Sequence, residues 1–478
     1  MGTWISDANG EATSGSPARA SVRMRRFRGG TARSSDEVPD KGMEQRGCVK
    51  EPDSMSQPVD GRSPRNEAKP YCISKKEVWE AYQRVKANKG AAGTDGQTIQ
   101  DFERNLKKNL YKIWNRMSSG SYFPPPVRTV KIPKKSGGER SLGIPTVADR
   151  IAQQIVKARL EPEVDPVFHA DSYGYRPGKS ALDAVGQARQ RCWRYDWVLD
   201  LDIKAFFDNL DQSLLLRAVK KHASERWMVL YIERWLKAPV QEENGRLVPR
   251  EKGTPQGGVA SPLLANLFLH YALDRWMSAN YPRVPFERYA DDVIVHCRTE
   301  REAEDVRKAI AARLRDCGLE LHPEKTKIVY CKDELRKGSH DHEKFDFLGY
   351  EFRPRTSKSR TGKIFPNFSP AISSKAAKAI RDTIRSWNLP KGSDKAIEEL
   401  SRLYNPIIRG WFQYYGRFYR TALYSIKRQL DQELVFWAKR KYKKLRQHIR
   451  RARHWIARIS RRSPELFAHW QLARCTAP

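Results

Sequence analysis

The sequence predicts an α+β protein whose strand-rich first part gives way to an all-helical part and then to a basic helical C-terminal segment. Three observations carry that expectation. Residues 286–297 set apolar or aromatic side chains on both sides of a very short polar centre, the pattern of a β-hairpin in which Tyr289 ends one strand and Val293, Ile294 and Val295 start the next. Residues 197–201 are a second strand-like run that delivers Asp202 at its end and then turns into a helix, with Asn209 or Asp211 as its cap. Past residue 364 the apolar spacing is helical only.

The two strand signals share a chemistry. Side chains alternate along a strand, so the hairpin-tip pair Asp291 and Asp292 point different ways and one of them alone would reach a metal deep in a cleft. A third carboxylate is therefore expected, and Asp202 supplies it. Strand-end carboxylates from distant parts of a very basic chain suit two Mg²⁺ ions held roughly 3.5 to 4 Å apart, as phosphoryl transfer requires. An Asp-Asp pair taken alone is most often only a solvated acidic turn, so the weight falls on the other stretches.

Composition narrows the class. A chain of 478 residues has room for about three domains of roughly 150 residues. Ninety Lys plus Arg against 56 Asp plus Glu leave a formal charge of +34, which calls for a polyanionic partner. Seven cysteines make no Cys-x-x-Cys pair and no zinc-ligand spacing, as expected of a reduced, intracellular protein. No apolar run approaches bilayer-spanning length, which argues against secretion and membrane insertion.

At Tyr289-Ala290-Asp291-Asp292 and Asp202-Ile203-Lys204-Ala205-Phe206-Phe207-Asp208 the sequence resembles the reverse transcriptases, specifically the bacterial group II intron-encoded reverse transcriptase/maturase proteins. The match continues in order along most of the chain. It implies a right-hand polymerase, with fingers and palm built on antiparallel sheet and a helical thumb. It implies Asp202, Asp291 and Asp292 as catalytic residues, Asp202, Ile203, Asp291 and Asp292 as metal positions, two Mg²⁺ ions as cofactor, and dNTPs as substrates.

Taken in order, residues 1–65 lack apolar periodicity and read as a disordered basic tail, with Met43 as an alternative start. A helix begins at Ser74, with Val78, Tyr82 and Val85 inward, and residues 90–96 form a glycine-rich loop that no Gly-Lys-Ser/Thr closes. A helix over 99–117 follows, stopped by Pro124-Pro125-Pro126. Residues 127–145 read as two strands joined by a basic glycine turn. This can lay Lys134 or Lys135, together with Arg140, against a triphosphate, and the resemblance makes it the fingers hairpin. A helix over 146–160 carries Ile151, Ile155 and Val156 inward. Arg176, in the Ser-Tyr-Gly-Tyr-Arg-Pro turn, is a template-phosphate contact or an internal salt bridge.

Phe207 lies five residues past Asp202, where the resembling enzymes place the aromatic ring that rejects a 2′-hydroxyl. One of Phe206 and Phe207 is expected in the core. Residues 253–268 make a rigid Pro and Gly turn opening a helix capped near Ser261, and the family's pocket glutamine matches Gln256. A helix over 301–316, the box around Lys325-Thr326, and the Phe345 to Phe352 strand complete the palm in the family's order. Lys325 is a candidate backbone-phosphate contact.

Residues 354–364 read as a polar, basic linker that closes a polymerase part at 66–353. A thumb/maturase domain at 365–435 and a basic region at 436–478 follow. Leu403 to Gly416 resembles the maturase signature, which puts Arg409 on nucleic acid and Trp411, Tyr414 and Tyr415 mostly in a helical core. From Ser401 onward 19 Lys plus Arg face three acidic residues. Trp437, Tyr442, Leu445, Ile449, Trp455 and Ile459 recur beneath that charge, as in a folded helical pair with a cationic face. Lys441, Lys444, Arg450 and Arg453 stand for that face. The end at Pro478 leaves no room for the HNH endonuclease that some relatives append. The expected protein is an intron maturase and RNA-directed DNA polymerase. Its expected partners are the group II intron RNA, a DNA target and primer, and, as one option, a second copy in a dimer. Its expected setting is the bacterial cytoplasm and nucleoid. The competing readings are a domesticated or defence-associated reverse transcriptase without an intron, and a splicing-only RNA-binding maturase.

Overall fold

Alternation along one central sheet divides the protein into two cores. The computed structural model describes residues 69–133, 139–359 and 361–471. Its strands, in chain order, are β1 (Val127–Pro133), β2 (Glu139–Ile144), β3 (Trp197–Leu201), β4 (Val240–Gln241), β5 (Leu247–Val248), β6 (Phe286–Tyr289), β7 (Asp292–Cys297), β8 (Lys327–Tyr330), β9 (Phe345–Phe347), β10 (Tyr350–Lys358) and β11 (Ile364–Ile372). Among the described residues they order as β2-β1-β4-β5, β6-β7-β3-β8 and β11-β10-β9.

The sheet β6-β7-β3-β8 is antiparallel throughout, and both of its faces are covered. Leu199, Leu201, Val293 and Val295 point into a core shared with the helices Lys75–Ala87, Val147–Val164 and Ser261–Leu269. Val198, Ile294 and Val329 point into a second core, shared with β9 to β11 and the C-terminal helices. Burying each such Val, Leu or Ile contributes about 1.5–3 kcal/mol. The strand ends are therefore held rigidly from both sides, which is what a site at those ends needs.

Local signals account for most helices. Ser74 and Glu77 form a reciprocal capping box for Lys75–Ala87, whose Val78, Tyr82 and Val85 are buried as spaced. Thr146 caps Val147–Val164, and Ile151, Ile155 and Val156 are buried. Asp211, one of the two cap candidates, caps Gln212–His222. The expected single helix over 99–117 is two, Ile99–Arg104 and Leu106–Ser118, because Asn105 leaves helical geometry at φ −124° and ψ 39°. The helix Ser261–Leu269 takes Ala260 as its cap, while the Ser261 hydroxyl bonds instead to Thr254 Oγ1 at 2.9 Å.

The linker over 354–364 is a correction. Residues 350–358 and 364–372 are the two arms of a long antiparallel hairpin, in register from Tyr350↔Ile372 to Lys358↔Ile364. Its outer half buries little on either face, so the strand alternation that would mark it is missing from the sequence. Helices alone begin only at Ser374–Ser386. The boundary drawn at 435/436 falls inside the helix Tyr424–Lys441, whose Leu434, Val435, Trp437 and Ala438 share one core.

Candidate active site

The ladder between β3 and β7 ends at Leu201↔Val293, so the next residue on each strand is a carboxylate, Asp202 and Asp292. Across the hairpin Tyr289 pairs with Asp292, leaving Ala290 and Asp291 as a two-residue tip. Such a tip demands positive φ, and Ala290 adopts 57° without being glycine. Gly174 packs against it so closely that a Cβ there would lie 2.5 Å from the Ala290 nitrogen.

The carboxylates crowd one another. Burial, then the charge of Asp202, raises the Asp291 pKa. Burial, then Asp291, Asp200 and Asp202, holds Asp292 well above the usual carboxylate range. Asp200, which sequence reasoning passed over as a strand residue, is pushed up to about 7 by burial and then by Asp202 and Asp346. Among the described residues the cation paired with Asp202 is Lys325, whose Nζ lies 3.2 Å from Oδ2. Hard oxygen donors whose charged forms destabilise one another fit Mg²⁺, which would relieve that repulsion. Ile203 has a buried apolar side chain, so only its backbone carbonyl can serve as a ligand. Among the described residues no three metal-ligating side chains converge as a ready cage.

A cavity of about 550 Å³ is lined by Phe207, Asp208, Gln256, Lys131, Glu242 and Arg250 among others. Phe206 is the core member of its pair, 2% exposed, and Phe207 is left to face the cavity. The turn bearing Gln256 is tied down on two sides. Gly143 N–H donates to the Gln256 carbonyl at 2.7 Å, and Gln153 Oε1 accepts from Val259 N at 2.8 Å. Gly257, at φ 119°, is required there, since a Cβ would stand 2.4 Å from the Gly143 carbonyl oxygen. Behind it the buried Asp149 receives Gln153 Nε2, Tyr122 Oη and Trp235 Nε1, and burial lifts its pKa to about 6.

Arg140 sits on β2 opposite Ile132. Tyr175 links it to the site. Burial, then Asp291, Tyr289 and Asp292, raises that phenol's pKa while Arg140 opposes the rise, so arginine and carboxylates address the same ring. Lys134 and Lys135 lie outside the described residues.

The template-phosphate role for Arg176 is corrected. Its guanidinium is 8% exposed, paired with Asp165 at 2.7 Å, and it also donates to the carbonyls of Asp165, His169 and Ser172. With its donors spent on the chain, it fastens the turn. Lys441 is likewise engaged, donating to the carbonyls of Ser393 and Asp394. Arg409, Lys444, Arg450 and Arg453 are exposed. Trp411 and Tyr415 are buried, and the Tyr414 hydroxyl donates to the Leu348 carbonyl at 2.9 Å, fastening its helix to the turn between β9 and β10. The helices Tyr424–Lys441 and Ile449–Arg462 form the basic pair, with Tyr442 and Trp455 in contact between them at 4.9 Å.

Residues 132–352 match the family model for reverse transcriptase (RNA-dependent DNA polymerase), and residues 377–456 match the group II intron, maturase-specific domain. Both matched parts of the chain are thus similar to group II intron-encoded reverse transcriptase/maturase proteins. The group II intron-encoded protein LtrA of Lactococcus lactis subsp. cremoris is 34% identical over 258 residues, 54% of this chain and 41% of LtrA. Protein YkfC of Escherichia coli (strain K12) is 29% identical over 323 residues, 58% of this chain and 81% of YkfC. The putative COX1/OXI3 intron 1 protein of Saccharomyces cerevisiae is 23% identical over 342 residues, 59% of this chain and 40% of that protein. The chain thus spans about two fifths of LtrA. The maturase-domain match crosses residue 435, in keeping with the continuous helix found there. The likeness to the reverse transcriptases implies Mg²⁺-dependent chemistry, and the carboxylates described above fit that ion. Among the described residues no helix is long and apolar enough to cross a membrane.

Proposed function

We propose that the protein is an RNA-directed DNA polymerase that also binds its group II intron RNA to assist splicing and copies that RNA at a DNA target. The observation that carries this reading is the placement of Asp202, Asp291 and Asp292 at the ends of paired antiparallel strands, with Phe207, five residues past Asp202, and Gln256 lining one cavity. In this reading β6-β7-β3-β8 is the palm, β1 and β2 with the preceding helices are the fingers, and the helices after β11 are the thumb and maturase region.

Asp202, Asp291, Asp292 and the Ile203 carbonyl would hold two Mg²⁺ ions. Bound there, the metal lowers the pKa of a primer 3′-hydroxyl and steadies the phosphate oxygens. The chain's own residues do the rest. Arg140 and Lys131 attract the triphosphate, joined by whichever of Lys134 and Lys135 reaches it. Gln256 offers a donor and an acceptor to the nucleotide. Phe207 sets its ring where a 2′-hydroxyl would clash, favouring dNTPs. Arg409, Lys444, Arg450 and Arg453 meet RNA phosphates, whose counterion release supplies much of the affinity.

The test uses purified full chain with a DNA primer annealed to an RNA template, dNTPs and Mg²⁺, and in parallel the intron RNA flanking its own gene. Metal-dependent extension is expected, together with faster splicing at low Mg²⁺ and tighter binding of that intron than of a length-matched RNA at about 0.15 M salt. Folded protein that extends no primer contradicts the polymerase. Equal binding of both RNAs with no effect on splicing contradicts the maturase.

A further inference from the structure

The hairpin tip that carries Asp291 is gripped from beneath by a fully buried charged group. Arg288, on β6, is 0% exposed and forms a two-pronged pair with Asp274, Nε to Oδ1 at 2.8 Å and Nη2 to Oδ2 at 2.6 Å. That leaves Nη1, which donates to Asn266 Oδ1 at 2.8 Å and to the Ala290 carbonyl at 3.2 Å. Ala290 is the left-handed residue directly before Asp291. Asn266 in turn donates from Nδ2 to the Gly174 carbonyl at 2.6 Å, and Gly174 is the residue packed against Ala290 N. Alongside, Tyr173 N–H donates to the Arg288 carbonyl at 2.8 Å and Arg288 N–H to the Asp171 carbonyl at 3.0 Å. Asp274 ends a π-helical turn, His270–Asp274, an irregularity often found where a side chain has to be re-aimed at a functional site.

An apolar pair of similar volume would fill this space without the desolvation cost of two buried charges. It could not hold a carbonyl. We propose that Arg288, braced by Asp274 and Asn266, is a positioning residue that fixes Ala290 in its left-handed conformation and so sets where the Asp291 carboxylate stands. This rests on the polymerase reading of the site. Arg288 touches neither substrate nor metal. It acts through the backbone of the tip.

The experiment replaces both charges together, Arg288→Met with Asp274→Leu, so that neither is left buried alone, and separately makes Asn266→Ala, which keeps the ion pair. Melting curves and template-primer binding report the fold. Mn²⁺ binding, followed by the resonance signal of the free ion without nucleotide, reports the carboxylates independently of turnover. Both variants are expected to bind template-primer and dNTP as wild type does, while kcat and Mn²⁺ affinity each fall about tenfold, the size seen when the supports of metal ligands are removed. If kcat and Mn²⁺ affinity stay within about twofold of wild type in a folded variant, the proposal is overturned. Should the double variant fail to fold, Asn266→Ala decides by the same criteria. Wild-type protein that binds Mn²⁺ but extends no primer would defeat the polymerase reading, and the Mn²⁺ measurement would still judge the clamp.

Discussion

Lys325 and Asp202 face each other across 3.2 Å, joining a lysine from the loop before β8 to the carboxylate that ends β3. The lysine is 58% exposed, so the pair adds little to stability. Its consequence is competition, since the ammonium occupies an oxygen that a metal would use. Lys325→Met is expected to lower the Mg²⁺ concentration giving half-maximal extension by about twofold. A titration whose midpoint stays put or rises would show that the lysine does not compete there.

Phe207 faces the cavity while Phe206 fills the core. Phe207→Val should therefore raise rNTP incorporation relative to dNTP in single-nucleotide extension, with little change in melting temperature. Phe206→Ala should destabilise the protein by about 3–5 kcal/mol, because it leaves a cavity. Unchanged sugar discrimination in Phe207→Val would mean that another residue is the gate.

Asp431 ties the last helices together, with Lys427 Nζ and Trp470 Nε1 each 2.8 Å away and His469 at 3.2 Å. Burial alone would raise its pKa, yet the bonds from His469 and Lys427 outweigh it and bring the pKa from 3.8 to about 2. A depressed carboxylate contributes stability above its unfolded pKa and loses it as pH falls through the folded one. The wild type should therefore be more stable than Asp431→Asn above about pH 4. That margin should shrink between about pH 4 and pH 2. Acid titrations of both proteins followed by circular dichroism check this, and a margin constant down to pH 2 would contradict it.

Lys444, Arg450 and Arg453 are exposed on the basic helical pair, whereas Lys441 is already engaged with chain carbonyls. Reversing the first three charges should flatten the salt dependence of intron RNA binding, since each lost phosphate contact removes close to one counterion from the slope. Splicing assistance should weaken while extension on a short annealed template survives. Equal loss of both activities would point to misfolding or to one shared binding surface.

The strand-end carboxylates were legible because their signal is local: apolar runs of the right length, each ending in aspartate. The same holds for Val78, Tyr82 and Val85, whose spacing alone marks a buried helical face. The β10–β11 hairpin was not legible, because its outer half pairs the polar Arg355 to Lys358 with Ile364 to Asn367, of which none is buried, so neither arm shows a regular alternation. Arg176 and Arg288 show a second limit. A lone arginine carries no sign of whether it meets a phosphate or an internal aspartate, and the partners Asp165 and Asp274 lie 11 and 14 residues away, with no fixed spacing to reveal them. Asp200 was hidden only in part. Its place two residues before Asp202 puts it on the same strand face, which alternation alone could have shown, whereas Asp346 is brought near only by the assembled fold.

Metal-dependent nucleotidyl transfer at the tip of the β6–β7 hairpin is the activity proposed above. Its most direct test is Asp291→Ala, assayed for Mg²⁺-dependent dNTP incorporation on an RNA template alongside binding of the same RNA. The carboxylate contributes charge at one point and little to the broad cationic surface, so incorporation should vanish while RNA binding holds. Incorporation within about threefold of wild type would contradict the assignment.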